Sequence, residues 1–160
     1  MDDALRKDSR KRKSKSAKRA KASPRVRAPA EKKRVRVVIA DDDPIILEQI
    51  GLFLESHFDV VARVCNGRDL VEAVKRLSPS VVVADITMPE MSGIEAARLI
   101  TKLNPDVKIV ILSVYNDYAI IDAAFAAGAS GYVVKLTAST ELIPAITEVL
   151  AGRRYRPHGM

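Results

Sequence analysis

Five short apolar segments alternate with five amphipathic segments along residues 35–152. The apolar segments are rich in β-branched residues and are bounded by polar or turn residues, which is typical of strands buried in a sheet. They are VRVVIA (35–40), DVVARV (59–64), SVVVA (80–84), VKIVIL (107–112) and GYVV (131–134). The segments between and after them place apolar residues at helical spacing, as Ile46, Ile50 and Phe53 do in the first. The pattern predicts a strand followed by a helix, five times over.

Short connections between alternating strands and helices favour a parallel sheet with helices on both faces. We therefore predict an α/β domain with a doubly wound five-stranded sheet in the order 2-1-3-4-5. Asp43 and Pro44 have the residue types of a helix cap and a first helical position. Pro144 is tolerated only in the first turn of a helix, so the last helix is expected to begin no earlier than about Thr140.

Charge divides the chain into two unequal parts. Residues 1–34 hold 15 of the 27 Lys and Arg residues and only four acids, a net charge of +11, which leaves −4 for residues 35–160. The first part has three apolar side chains larger than alanine apart from proline, so we predict a disordered basic tail at 1–34, a folded domain at 35–152 and a short basic tail at 153–160. The first tail is open to four interpretations: a spacer, a non-specific nucleic-acid contact, an anionic-membrane contact, or a misassigned start codon.

The composition excludes several classes of protein. A single cysteine, Cys65, rules out an internal disulfide framework and fits a cytoplasmic location. His57 and His158 lie too far apart for a zinc-finger pattern. No secretory signal and no apolar run of membrane-spanning length is present, so no membrane span is expected.

Polar side chains that can bind a ligand or take part in a reaction follow four of the predicted strands. In the predicted strand order the carboxyl ends of these strands are neighbours, so the residues face one crevice. Open α/β sheets bind their ligands in such a crevice. The residues are Asp41, Asp42, Asp43, Asp85, Ser113 and Lys135. Several carboxylates in one crevice repel unless a cation neutralises them, and an all-oxygen set favours Mg2+. Lys135 and Ser113 suit a phosphoryl group, and one aspartate remains as a nucleophile.

Four stretches of the sequence resemble one known family. VVIADDDP, VVVADITMPEMSG, VILSVYND and GYVVKLTAS resemble the receiver domains of bacterial two-component response regulators, over residues 35 to about 152. ADDDP and VLAGRRYRP are most similar to the LuxR-type subgroup. That subgroup usually continues into a helix-turn-helix DNA-binding domain, which we do not expect within these 160 residues.

The resemblance implies a flavodoxin-like fold and a role for each motif residue. Asp85 would be the phosphoacceptor, and Mg2+ would be held by Asp41, Asp42, Asp85 and the backbone carbonyl of Thr87. The switch and phosphate contacts would be Ser113, Tyr132 and Lys135. Movement of Ser113 would vacate space into which Tyr132 turns.

The resemblance also implies the partners. A sensor histidine kinase or a phosphotransfer protein would supply the phosphoryl group. The face formed by helix 4, strand 5 and helix 5 would switch to control a partner or transcription, and a homodimer could form through it. The domain would be a phosphoacceptor that assists its own phosphorylation and dephosphorylation, not an enzyme acting on other molecules.

Two rival functions remain open at this point. Asp41-x-Asp43 after an apolar strand resembles the nucleophile motif of a haloacid-dehalogenase-type phosphatase, but that function leaves Asp85 unexplained and finds its later acids, Glu141 and Glu148, on a predicted helix. The other rival is a nucleic-acid-binding regulator in which the domain gates the tail at 1–34.

Overall fold

The computed structural model contains a five-stranded parallel sheet in the order β2-β1-β3-β4-β5. The strands are β1 (Arg36–Ala40), β2 (Asp59–Val64), β3 (Val81–Ala84), β4 (Lys108–Ser113) and β5 (Gly131–Val134). The structure describes Pro24 and residues 32–159, so the predicted basic tail lies outside the described residues except at Pro24 and 32–34. The strand order and the alternation confirm the predicted α/β fold.

Within residues 32–159, five α-helices connect and flank the strands. They are α1 (Pro44–Glu55), α2 (Gly67–Leu77), α3 (Gly93–Leu103), α4 (Tyr118–Ala126) and α5 (Ala138–Leu150). A single 3-10 turn (Lys135–Thr137) joins β5 to α5. None of the described helices has the length and continuous apolar character that a membrane span requires.

The core consists of two apolar layers, one on each face of the sheet. Side chains alternate along a strand, so β1 sends Val37 and Ile39 to one layer and Val38 and Ala40 to the other. The first layer packs under α1 and α5, and the second under α2, α3 and α4. Both faces of the sheet are therefore covered, which explains why the central strands are apolar at nearly every position.

Helix caps fix the loops at the carboxyl edge of the sheet. Oδ1 of Asp43 accepts hydrogen bonds from the N–H groups of Ile45 (2.9 Å) and Ile46 (3.3 Å), which confirms the predicted cap of α1. Ser92 and Glu95 form a reciprocal capping box at the start of α3. The loop after β1 and the loop after β3 therefore each end at a capped helix N-terminus.

The prediction for the last helix is wrong in one respect. Helix α5 begins at Ala138, so Pro144 lies in its second turn and not in its first. Proline removes the hydrogen bond to the carbonyl four residues earlier, here that of Thr140. Both residues are exposed, so water can hydrate the freed carbonyl and the helix continues.

Residues after α5 return to the sheet. Gly131 and Tyr155 form a parallel β-bridge, and the Tyr155 side chain is buried in the layer under α5. The Tyr155 N–H donates to Ser130 O (3.1 Å), and Tyr155 O accepts from the Tyr132 N–H (2.9 Å). Part of the segment that the sequence separated as a basic tail thus pairs with the edge strand.

Candidate functional site

Three aspartates meet where β1 and β3 end. The two strands are paired with Ala40 opposite Ala84, so the residues that follow them lie side by side. One carboxylate oxygen from each of Asp41, Asp42 and Asp85 lies within 4.8 Å of the others. Asp41 and Asp85 are buried, with 3% and 7% of their surface exposed, whereas Asp42 is exposed. The cluster therefore has one side open to solvent.

Lys135 reaches this cluster from the end of β5. Its Nζ lies 2.6 Å from Asp41 Oδ2 and 3.3 Å from Asp85 Oδ2, so one ammonium bridges two buried carboxylates. Backbone groups hold the other oxygens: Asp41 Oδ1 accepts from the Asp43 N–H (2.9 Å), and Asp85 Oδ1 accepts from the Ile86 N–H (2.8 Å). Each buried carboxylate is thus fixed in orientation.

Burial and charge shift the proton affinities at the site. Burial, helped by the charge of Asp41, raises the pKa of Asp85 above its ordinary value even though Lys135 acts in the opposite direction. Burial alone would lower the pKa of Lys135, but its hydrogen bond to Asp41 and the charges of both carboxylates outweigh that effect and raise it. Lys135 therefore stays a cation, and a negative charge on Asp85 is disfavoured.

The oxygen atoms of the site fit a hard divalent cation. Three carboxylates face a single lysine, which leaves negative charge uncompensated. Mg2+ prefers a few carboxylates together with water and phosphate oxygens, and the open side at Asp42 leaves room for both. Thr87, the predicted carbonyl ligand, lies two residues beyond Asp85 on the exposed loop between β3 and α3.

That loop packs directly against the backbone of Asp85. Gly93 donates its N–H to Ile86 O (2.9 Å), and a Cβ at position 93 would lie 1.9 Å from the Asp85 carbonyl oxygen. Only glycine fits such an approach. Gly93 therefore sets the path of the chain on either side of the Asp85 side chain.

Ser113 ends β4 and Tyr132 lies on the paired strand β5, and both are fully buried. The Tyr132 hydroxyl donates to Tyr115 O (2.8 Å), and the Tyr115 N–H donates to Ser113 Oγ (3.3 Å). In this structure the Tyr132 ring already lies in the apolar layer with its hydroxyl satisfied, and the expected turn of the ring on movement of Ser113 stays a prediction. Burial raises the pKa of the Tyr132 phenol, so it stays neutral.

The structure brings together most of the residues that the sequence selected. Asp41, Asp42, Asp85 and Lys135 form one cluster. The sequence missed the backbone of Tyr115, which links the two switch residues through its N–H and its carbonyl. Backbone groups have no residue-type signature, so no signal in the sequence could have identified this link.

A family model describes this arrangement. The response regulator receiver domain model matches residues 37–147, which include every residue of the cluster. This chain belongs to the response regulator receiver family. The receiver is a signalling domain, and its role is in phosphorelay signalling.

Relatives of this receiver include regulators of gene expression and a chemotaxis protein. It is 35% identical over 125 residues to the transcriptional regulatory protein LnrK of Bacillus subtilis, covering 77% of this chain and 57% of LnrK. It is 35% identical over 115 residues to the chemotaxis protein CheY of Thermotoga maritima, covering 71% of this chain and 96% of CheY. The receiver thus spans little more than half of LnrK but nearly all of CheY.

Solved structures agree with the fold. A LuxR-family two-component response regulator from Aurantimonas is 35% identical, with a TM-score of 0.74 over 77% of this chain and 89% of that one. The isolated receiver domain of RcsB from Salmonella enterica serovar Typhimurium, determined with phosphomimetic BeF3-, is 29% identical, with a TM-score of 0.72 over 79% of this chain and 95% of that one. The predicted resemblance to LuxR-type receivers is confirmed.

Proposed function

We propose that this receiver accepts a phosphoryl group from a histidine kinase, or from a phosphotransfer protein, onto Asp85. One observation carries the proposal. The Asp85 carboxylate is buried beside Lys135 Nζ (3.3 Å) and within 4.8 Å of two other carboxylates. Family membership supports a phosphorelay role, and this placement supports Asp85 as the acceptor.

Asp85 would supply the nucleophilic oxygen, and its neighbours would orient the carboxylate and stabilise the charge of the phosphoryl group. In the proposed transfer, an Asp85 oxygen bonds to phosphorus while the phosphorus–nitrogen bond of the donor phosphohistidine breaks, and the electron pair of that bond stays on the imidazole. Phosphoryl transfer depends mainly on positioning and charge stabilisation. The Ile86 N–H orients the carboxylate, and the Lys135 ammonium stabilises negative charge on the phosphoryl oxygens.

We propose that Asp41, Asp42 and Asp85 hold Mg2+ together with the carbonyl of Thr87. When bound, Mg2+ would supply positive charge that compensates the carboxylates and the incoming phosphoryl oxygens. Asp41 Oδ1 accepts from the Asp43 N–H and Oδ2 lies 2.6 Å from Lys135 Nζ, so the fixed Asp41 carboxylate would serve both the lysine and the metal.

Ser113 and Tyr132 are proposed to convert phosphorylation into a change of shape. The Ser113 hydroxyl would donate to a phosphoryl oxygen on Asp85. Tyr115 is bonded to both Ser113 and Tyr132, so a shift of Ser113 would pass to the Tyr132 ring and to the start of α4. The face of α4, β5 and α5 would then favour a different partner, as population-shift switches do.

The output and the location are proposals as well. We propose that the receiver works in the cytoplasm and controls a partner or transcription, and that two copies pair through the face of α4, β5 and α5. The names of its relatives support transcriptional control. One solved structure contains two RcsB dimers bound to two parallel DNAs, which supports dimerisation as a property of related regulators.

The experiment for the function is incubation with Mg2+ and a small phosphodonor, followed by intact-mass measurement. We expect one added phosphoryl group that survives acid and is lost in hydroxylamine, as an acyl phosphate is. Asp85→Asn should abolish it, and EDTA should suppress it. Unchanged labelling of Asp85→Asn would refute the assignment, and the same result with loss in Asp41→Asn would favour the phosphatase alternative.

A second function is proposed for residues 1–34. Their net charge of +11 favours non-specific contact with nucleic acid, because each neutralised phosphate releases counterions. We expect affinity for duplex DNA that falls steeply with salt and disappears when residues 1–34 are deleted. Equal affinity with and without these residues would contradict the proposal.

A further inference from the structure

Residues 153–158 form a strap across the open edge of β5, and we refer to them as the C-terminal strap. The strap pairs with the sheet through Tyr155, which bonds to the backbone of Ser130 and of Tyr132. Gly131 lies opposite Tyr155 in this bridge, and a Cβ at position 131 would be in ordinary contact with the Tyr155 Cβ, at 3.5 Å. The strap is thus joined to the edge of β5 by one bridge and two backbone hydrogen bonds.

The strap also contacts the two helices that flank β5. Arg156 donates from two nitrogens to Asp122 Oδ1 of α4, each at 3.2 Å, and its guanidinium lies 4.5 Å from the centre of the Phe125 ring. Arg153 makes a two-point ion pair with Glu148 of α5. Charged contacts on opposite sides of the sheet edge therefore hold α4 and α5 to the same short segment.

The strap and the proposed switch share one residue. The Tyr132 N–H donates to the strap at Tyr155 O, and the Tyr132 hydroxyl donates to Tyr115 O. Tyr115 is two residues before Asp117, the cap of α4, and Tyr115 is bonded to Ser113. A continuous series of contacts thus runs from Ser113, through Tyr132, to the strap.

The attachments of the strap differ in strength. Tyr155 is buried and tied to a strand fixed within the sheet. The Arg156–Asp122 pair is exposed, with 48% and 65% of the two side chains accessible, and exposed ion pairs contribute little. A displacement of α4 relative to β5 would strain both attachments, and the exposed one would break first.

We propose that the C-terminal strap is a conformational output of the receiver, docked while Asp85 is unmodified and released when Asp85 is phosphorylated. The inference rests on the proposed function. The moving part is the loop that joins Ser113 to α4, and the strap connects α4 to the Tyr132 backbone. Release would uncover the β5 edge and the Phe125 face of α4 together, so phosphorylation would expose a surface that the chain itself covers.

The test is hydrogen–deuterium exchange on the full chain, with and without phosphorylation by Mg2+ and acetyl phosphate. We expect exchange in a peptide spanning residues 151–160 to rise at least five-fold in the phosphorylated sample, within the range of allosteric couplings. Asp85→Asn, treated identically, should show no rise. Intact mass on the same samples reports phosphoryl incorporation separately.

Two arginine variants separate the α4 contact from charge alone. Arg156→Ala should raise strap exchange modestly before phosphorylation, because the exposed ion pair is weak, and should reduce the further rise afterwards, because α4 then no longer pulls on the strap through this residue. Arg153→Ala also removes one positive charge from the strap, but it breaks the contact with Glu148 of α5 and keeps the contact of Arg156 with Asp122 of α4. This variant should therefore keep the phosphorylation-dependent rise in exchange.

Three results would overturn the inference. Phosphoryl incorporation with unchanged or slower strap exchange would overturn it and leave the proposed function standing. A full phosphorylation-dependent rise in Arg156→Ala would exclude the route through α4. No incorporation at Asp85 would overturn the proposed function and the inference together.

Discussion

Removal of one carboxylate from the site should stabilise the metal-free receiver. Asp85→Asn keeps the size of the side chain and an oxygen that can accept from the Ile86 N–H. It removes one negative charge from a cluster of three that shares Lys135. In the metal-free protein, Asp85, the residue proposed to be essential for phosphorylation, is thus expected to lower the free energy of unfolding.

The magnitude follows from the distances. At an effective dielectric of about 20, two charges 4.8 Å apart interact by about 3.5 kcal/mol. Because 4.8 Å is the upper limit of the separations, Asp41 and Asp42 would each repel Asp85 by at least about this amount before solvent screening, while Lys135 at 3.3 Å attracts it by about 5 kcal/mol. Asp42 is exposed and screened, so the charge interactions nearly cancel, and the cost of burying the Asp85 carboxylate, which is the largest cause of its raised pKa, decides the sign. We therefore expect a net gain of about 1 to 2 kcal/mol in the free energy of unfolding for Asp85→Asn.

The gain should depend on pH with a defined sign. The pKa of Asp85 is raised by burial, so the folded state holds this proton more tightly than the unfolded state. The cost in the wild type therefore appears as pH rises from the ordinary value near 3.8 through the folded pKa, and is complete once the pH exceeds the folded pKa. Below that window the wild type and Asp85→Asn should be similarly stable.

Urea unfolding at pH 7 in EDTA measures the difference. Mg2+ should then stabilise the wild type more than Asp85→Asn, because ligands that bind only the folded state raise its stability. Asp106→Asn on an exposed loop is the matched control and should change stability by less than about 0.5 kcal/mol. A metal-free Asp85→Asn protein less stable than the wild type would refute the reasoning.

Three further substitutions test neighbouring parts of the site by the same urea unfolding assay. Gly93→Ala should cost about 3 kcal/mol or prevent folding, because its methyl group would meet the carbonyl of Asp85, and wild-type stability would contradict the close approach. Tyr132→Phe should cost about 1 kcal/mol by leaving the Tyr115 carbonyl without its hydroxyl donor, and no change would mean that this bond is replaced by water. Lys135→Met should cost about 3 kcal/mol in EDTA and less in Mg2+, because two buried carboxylates lose their cation, and an equal cost in both would argue against a metal at this position.

The fold could be predicted from sequence because its two signals, the apolar strands and the helix caps, are local. Buried parallel strands are apolar at nearly every position, as Val81 to Ala84 are, and the caps at Asp43 and Ser92 have side chains with a known preference. Pro144 was misjudged because its cost depends on solvent at Thr140, which is a tertiary property.

The site could be predicted in part for a similar reason. Asp41, Asp85 and Lys135 each follow a strand, and topology alone brings strand ends together. The bond from Tyr132 to the Tyr115 carbonyl and the bonds of the Tyr155 backbone could not be predicted, because they use backbone groups of residues 17 to 25 positions apart in the chain. Charge patterning suggested a basic tail at 153–160 and gave no sign that Tyr155 is buried.

The most direct measurement is a crystal structure of the receiver soaked with Mg2+ and beryllofluoride, an analogue of a phosphoryl group. The account predicts beryllium bonded to an Asp85 oxygen, with Lys135 and Ser113 on its fluorines and Mg2+ on Asp41, Asp42 and Asp85. Beryllofluoride on another carboxylate, or Mg2+ bound away from these three aspartates, would contradict it.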